Sequence, residues 1–378
     1  MQSARLFSRL DFKLVAIVLV LQAAGLMVIA AYSPDFLLDT GSLPFFLPQV
    51  TSQLQWIGFS WICFFVAVRF DYAKLREWAW ILYFISIVLL IGLFFTDPIV
   101  RVQRWYRLPL IGVNVQPSEI AKLAVVVALS WSLERSAHLL DRWSTLVSLL
   151  FIVAIPFLLI IKQPDLGTSI VFYPMTLVIL YFGGVSIRIL RLLCIPGAVA
   201  LLVVVLTFSG VVPYERIQPL MSKVLKEYQC ERFNPATHHQ RASQTAIALG
   251  GMTGTGWRQG EYWRGGSLPA PYTDSIFAAF GEEFGLIGLL FLLLCYYLLI
   301  SCCFQAATMA KDGFGRLIAA GIAIYIAVHV AINVGMMCGC LPVTGVPLVF
   351  MSYGGSSMAM TMTALGITQS VYTRRFMF

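Results

Sequence analysis

Apolar residues gather along this chain in ten blocks, at about 12–32, 49–68, 78–96, 116–133, 145–161, 167–184, 192–209, 275–301, 317–340 and 351–371. A helix needs ~20 residues to cross a ~30 Å hydrocarbon layer, so the pattern predicts ten membrane-spanning helices. The blocks at 145–161 and 167–184 are short and separated only by Lys162-Gln163-Pro164-Asp165. A proline with two charges cannot sit in a lipid-facing helix, so these read as two spans. An even number of spans puts both termini on one side. Leu14 to Tyr32 is too long for the apolar core of a cleavable signal and reads as the first span.

One long polar stretch, 210–274, interrupts the series between spans seven and eight. Within it Ile217, Leu220, Met221, Val224, Leu225 and Tyr228 recur at three- and four-residue steps, opposite Glu215, Arg216, Gln218, Lys223, Lys226 and Glu227. That spacing predicts an amphipathic helix lying in the outer interface. A short helix is expected at Thr245 to Leu249, broken by Gly250-Gly251 and the Gly254-Thr255-Gly256 turn. The expectation is an all-α integral membrane protein: one polytopic domain, 1–378, with 210–274 as a large extracytoplasmic loop.

Composition supports lipid as the main solvent. The chain is 59% hydrophobic and 12% charged, where soluble domains average about 25% charged. Net charge is +8, but no Lys/Arg run forms a nucleic-acid patch, and that class is excluded. The basic residues set orientation instead. With the N-terminus cytoplasmic, every inner segment is positive: Arg5 and Arg9, Arg69 to Arg76, Arg135 and Arg142, Arg188 and Arg191, Lys311 and Arg316, Arg374 and Arg375. Two outer segments break the rule, one carrying Arg101, Arg104 and Arg107, the other seven Lys/Arg between 210 and 274. Long translocated loops ignore the rule. The three closely spaced guanidiniums suit either an anionic ligand or lipid phosphates. The eight cysteines lie mostly in apolar blocks, with no metal or disulfide spacing.

Few residues within or bordering the apolar blocks carry chemistry. Glu119 and Lys122 stand i, i+3 on one helix face and read first as an internal ion pair, second with Lys122 reaching a ligand phosphate. Lys162 and Asp165 straddle Pro164, so they are not a helical pair. Asp274 opens span eight at the outer side and reads either as a helix cap or as a base. Glu282 and Glu283 are read as partly structural and partly cavity-lining, His238 and His239 as polar loop residues, and His329 and Asn333 as bonders inside the bundle.

Four blocks resemble the signatures of the RodA/FtsW (SEDS) family. They are Gln116-Pro117-Ser118-Glu119-Ile120-Ala121-Lys122; Lys162-Gln163-Pro164-Asp165-Leu166-Gly167-Thr168; Thr273-Asp274-Ser275-Ile276-Phe277 with Gly281-Glu282-Glu283; and Pro342 to Pro347 with Ser352 to Ser357. They occur in order through nearly the whole chain. Val343-Thr344-Gly345 and the short N-terminal tail look more like the elongation-type RodA branch. The resemblance implies a ten-span bacterial inner-membrane glycosyltransferase that polymerises lipid II. Its partners would be a class B penicillin-binding protein and other elongation-complex membrane proteins. Asp274 aligns with the family's essential loop aspartate. Arg101, Arg104, Lys122, Lys162, Arg232 and Glu119 are the expected substrate contacts, Arg232 through a Tyr-Gln-x-x-Arg order at 228–232. The chain departs from the family's Leu-Pro-Glu-x-His-Thr-Asp-Phe, with Leu268-Pro269-Ala270-Pro271-Tyr272-Thr273-Asp274-Ser275 in its place. Any essential role of that Glu or His does not carry over.

The chemistry needs one base and several cations. A lipid diphosphate is already a good leaving anion, while the acceptor hydroxyl is a poor nucleophile that a carboxylate would assist by roughly 10²–10⁴. A divalent cation, Mg or Mn, would suit the leaving diphosphate, but no ligand cluster in the sequence demands one. Two other readings stay open at this level: a transporter or flippase of the same lipid, and a scaffold that activates a penicillin-binding protein.

Overall fold

A computed structural model describes residues 9–31, 48–96, 103–108, 113–140, 142–222, 230–235 and 237–375. A helix stands at each apolar block: α1 (Phe12–Ala31), α2 (Pro48–Arg69), α3 (Leu75–Gly92), α4 (Pro117–Arg135), α5 (Trp143–Lys162), α6 (Leu166–Phe182), α7 (Ile187–Phe208), α11 (Ile276–Thr308), α12 (Gly313–Met337) and α13 (Gly355–Thr373). Between α7 and α11 lie the shorter α8 (Tyr214–Met221), α9 (His238–Gly250) and α10 (Glu261–Arg264). Among the described residues, seven helices are long and apolar enough to cross a membrane; α4, α6 and α13 are more polar or shorter. α4 and α13 lie toward the centre, with most of their residues buried.

Two expectations are adjusted. The amphipathic helix is α8, which starts earlier, at Tyr214, and includes Pro219; residues 223–229, on which its second half was placed, lie outside the described residues. The chain is also not purely helical. Tyr106–Leu108 (β1) pairs antiparallel with Val113–Val115 (β2), setting Arg107 across from Asn114. Alternating Tyr106, Leu108, Val113 and Val115 match the two-residue period of strands, a signal too short to register beside ten apolar blocks.

One face of the bundle gathers the ends of several helices. The Asp11 amide donates to Gln369 Oε1 at 3.0 Å, and the Tyr72 amide donates to Ser370 Oγ at 3.3 Å. Arg374 donates to the carbonyls of Val68 and Arg69. Arg76 pairs with Glu134 at 2.9 Å and with Asp312 at 3.2 Å. The starts of α1, α3 and α12 therefore share a face with the ends of α2, α4 and α13, so those helices alternate in direction.

The opposite end is organised by a break in α11. Gly285 has φ 65°, a conformation that L side chains avoid. The amides of Leu286 and Ile287, freed by the break, donate to the carbonyls of Gly251 and Met252 at 2.9 and 3.1 Å. In return Thr255 and Gly256 donate to the carbonyls of Glu282 and Glu283. The loop after α9 is thus stitched into the helix, which satisfies backbone groups that a bare kink would orphan. A Cβ on Gly285 would come 2.3 Å from the Gly254 nitrogen, so only glycine fits.

Candidate active site

Asp274 sits on a tight turn just before α11. Ala270 takes φ 48° and its carbonyl accepts from the amides of Thr273 and Ser275 at 3.2 and 3.1 Å. Two other segments, 352–353 and α12, hold the turn. Ser352 Oγ donates to the Thr273 carbonyl at 2.6 Å, the Tyr353 amide to the Tyr272 carbonyl at 2.8 Å, and Asn333 Nδ2 to the Asp274 carbonyl at 2.8 Å. The same Asn333 nitrogen donates to the Val346 carbonyl at 2.8 Å. The Asp274 backbone is fixed while its carboxylate is left to other work. It is not the cap of α11: Ser275 occupies that position, and no side-chain cap bond forms.

The carboxylate looks across at Gly345, where a Cβ would stand 3.2 Å from Asp274 Oδ2. Burial pushes the Asp274 pKa up; the positive charges of Arg232 and Arg104 oppose that, and Asp165 adds to it. Both arginines are anchored through backbone carbonyls. Arg232 Nη1 donates to the Thr344 carbonyl at 3.0 Å. Arg104 donates to the carbonyls of Gln163 and Pro164 and lies 3.9 Å from Asp165 Oδ1. Asp165 in turn caps α6, accepting from the Thr168 amide at 3.3 Å and the Thr168 hydroxyl at 2.8 Å, and from Gln116 Nε2 at 3.0 Å. The Lys-Gln-Pro-Asp turn, the loop after α3 and the loop before α9 therefore meet around one carboxylate.

The remaining candidates fall elsewhere. Lys162 is exposed at the end of α5, next to the residues that hold Arg104. Arg107 is exposed on β1, and Arg101 lies outside the described residues. Glu119 and Lys122 are buried inside the bundle. Lys122 Nζ donates to Glu119 Oε1 and meets His329 Nε2, each at 2.9 Å, while Tyr325 Oη lies 3.4 Å from Glu119 Oε2. His329 Nδ1 faces the Tyr325 carbonyl at 2.9 Å, so the proton sits on Nδ1 and Nε2 accepts from lysine. The internal ion-pair reading is the one realised. His329 and Asn333 are one turn apart on α12, which links this cluster to the Asp274 turn.

The sequence reading missed His239, taken there as a polar loop residue; its Nε2 lies 2.6 Å from Ser275 Oγ, directly after Asp274. Burial, with His238 nearby, pushes its pKa down, so the ring is neutral at pH 7. Glu282 and Glu283 do not line the Asp274 site. Glu282 accepts from the amides of Tyr262 and Trp263, at 2.9 and 3.1 Å, and Glu283 from that of Arg258 at 3.1 Å. They hold α10 and its approach in place. Among the described residues no three His, Cys, Asp or Glu side chains converge as a metal site.

A sequence model for a family described as cell cycle protein, FtsW/RodA/SpoVE, matches residues 12–376. The chain belongs to this family. It is a multi-pass membrane protein. It is 38% identical over 301 residues to the peptidoglycan glycosyltransferase MrdB of Escherichia coli K12, covering 79% of each chain. It is 27% identical over 382 residues to a probable peptidoglycan glycosyltransferase FtsW of Trichlorobacter lovleyi, covering 97% of this chain and 94% of that one. Its fold superimposes with TM-score 0.75, at 26% identity and over 98% of its length, on a chain from a structure of a peptidoglycan synthase complex that coordinates polymerization and crosslinking. Thermus thermophilus RodA shares the fold with TM-score 0.70.

Proposed function

We propose that this protein is a peptidoglycan glycosyltransferase that polymerises lipid II at the outer face of the bacterial cytoplasmic membrane. In this reading all ten apolar helices span, both termini are cytoplasmic, and 210–274 is the outer loop. Asp274 takes the proton from the acceptor sugar hydroxyl as the oxygen attacks the anomeric carbon of a second lipid II. The bond from that carbon to the diphosphate breaks, and its electrons leave with the lipid diphosphate. Inversion at an α-linked donor gives a β linkage. Arg104 and Arg232 stand where the anionic leaving group needs charge.

One observation supports this most: a partly buried carboxylate whose backbone is clamped from two other segments, with two guanidiniums in its electrostatic reach. Burial lifts its proton affinity toward what a general base requires. The names of the relatives agree with this chemistry. The synthase complex among the structural neighbours supports a crosslinking penicillin-binding protein as partner. Glu119 and Lys122 are paired inside the bundle and are given no step in the chemistry. Lys162, beside the residues that hold Arg104, is assigned to phosphate contact, Arg101 keeps the phosphate role expected of it from the sequence, and no step is routed through a metal.

The test uses purified protein and labelled lipid II without a partner. Wild type should build glycan strands and Asp274→Asn should not. A chain that moves the lipid across vesicles equally well in both forms, and polymerises in neither, would support the flippase reading instead.

A further inference from the structure

A cavity of about 470 Å³ opens between α3, α4 and α5, at the ends of these helices that share the arginine-rich face. It is far from the Asp274 turn, which lies at the opposite ends of the bundle. Ser132 and Arg135, one turn apart on α4, form one wall; Ser144 and Thr145, in the first turn of α5, form another; Trp80 and Trp131 close the third. No carboxylate is among the lining residues. Glu134, next to Arg135 in sequence, is held by Arg76.

Three features point to a phosphate-bearing occupant. First, Ser132 is only 8% exposed and its hydroxyl has no hydrogen-bond partner; such a group carries a desolvation penalty unless something satisfies it. Second, the donors are the right kind. Arg135 lies over the Trp131 ring at 5.3 Å, its fork beside the cavity. At the start of α5 the Thr145 and Leu146 amides already donate to the Arg142 carbonyl, which leaves the amides of Trp143 and Ser144 ahead of the first intrahelical bond. Ser148 is not a donor, because its hydroxyl already donates to the Ser144 carbonyl at 2.9 Å. Third, the depth fits. Trp78 and Trp143 are 50% and 61% exposed at the same helix ends, and tryptophans gather at headgroup level.

We propose that this cavity binds the phosphate of an anionic phospholipid headgroup from the leaflet bordering the arginine-rich face, with the acyl chains running outward past Leu149 and Ile152. A zwitterionic headgroup is disfavoured, because its cationic end would meet Arg135 with no carboxylate to receive it.

The experiment measures the thermal midpoint of the full chain in detergent, with added phosphatidylglycerol, phosphatidylcholine or free glycerol 3-phosphate. Phosphatidylglycerol should raise the midpoint by several degrees, with phosphatidylcholine and glycerol 3-phosphate giving less than a third of that shift. Arg135→Gln should remove most of the response. Ser132→Ala should leave the lipid-free midpoint unchanged or higher, since its hydroxyl has no hydrogen-bond partner to lose, yet reduce the lipid shift. An equal response to phosphatidylcholine would overturn the headgroup assignment, and an equal response to glycerol 3-phosphate would make the ligand a soluble phosphate. An undiminished phosphatidylglycerol shift in both variants would place the lipid elsewhere.

Discussion

Asn333 donates from one amide nitrogen, at 2.8 Å each, to the carbonyls of Asp274 and Val346. It thereby ties the proposed base to the segment that carries Gly345. Side chains on α12 thus set the position of a carboxylate on a turn 59 residues away in sequence. Asn333→Leu should lower turnover about 10–100-fold, since a displacement near 1 Å at the reacting groups costs on that order. Steady-state kinetics check it: kcat should fall while KM stays within a few-fold, because Asn333 does not reach substrate.

Burial raises the Asp274 pKa, while Arg232 and Arg104 lower it and Asp165 raises it. The base works deprotonated, so activity should fall as pH drops through that raised pKa, above the ordinary aspartate value of about 4. The two neighbours then act in opposite directions. Arg232→Gln removes a lowering charge and should move the acid limb of the pH–rate profile upward; Asp165→Asn removes a raising charge and should move it downward. Limbs that move together, or not at all, would exclude Asp274 as the titrating group.

The Glu119–Lys122 pair is buried, so removing one partner strands a charge. Lys122→Met alone should cost about 3–5 kcal/mol of stability, and Glu119→Leu with Lys122→Met should recover much of it. Thermal unfolding in detergent reads both. A single variant as stable as wild type would mean the pair is hydrated rather than sealed.

Ala270 occupies the left-handed region at φ 48°, where an L residue costs roughly 1–2 kcal/mol. Ala270→Gly should therefore be neutral or stabilising by about 1 kcal/mol, and Ala270→Val should be clearly destabilising, because a β-branched side chain fits that region worst. Gly285→Ala should be worse still. Its φ 65°, ψ −168° lies in a region essentially closed to L residues, and a Cβ there would stand 2.3 Å from the Gly254 nitrogen. Folded yield and thermal midpoint distinguish the three.

Hydropathy alone located the helices well, because burial in lipid selects long apolar runs whatever their partners. The family motifs likewise singled out Asp274, Asp165 and Lys122. What remained hidden is pairing across distance. Nothing local ties Arg104 to Asp165, Lys122 to His329 or His239 to Ser275. Each forms only when elements far apart in sequence pack together. Glu282 and Glu283, read as partly structural and partly cavity-lining, serve backbone amides of a loop. The Gly254-Thr255-Gly256 turn was visible as a breaker, but not as the partner that fills the break at Gly285.

The central claim is that Asp274 removes the acceptor proton. Single-turnover polymerisation of labelled lipid II by Asp274→Asn, with lipid II binding measured on the same preparation, addresses it most directly. The expected result is unchanged binding with a rate lower by roughly 10²–10⁴, the range of general-base assistance. Polymerisation at the wild-type rate with binding intact would contradict it.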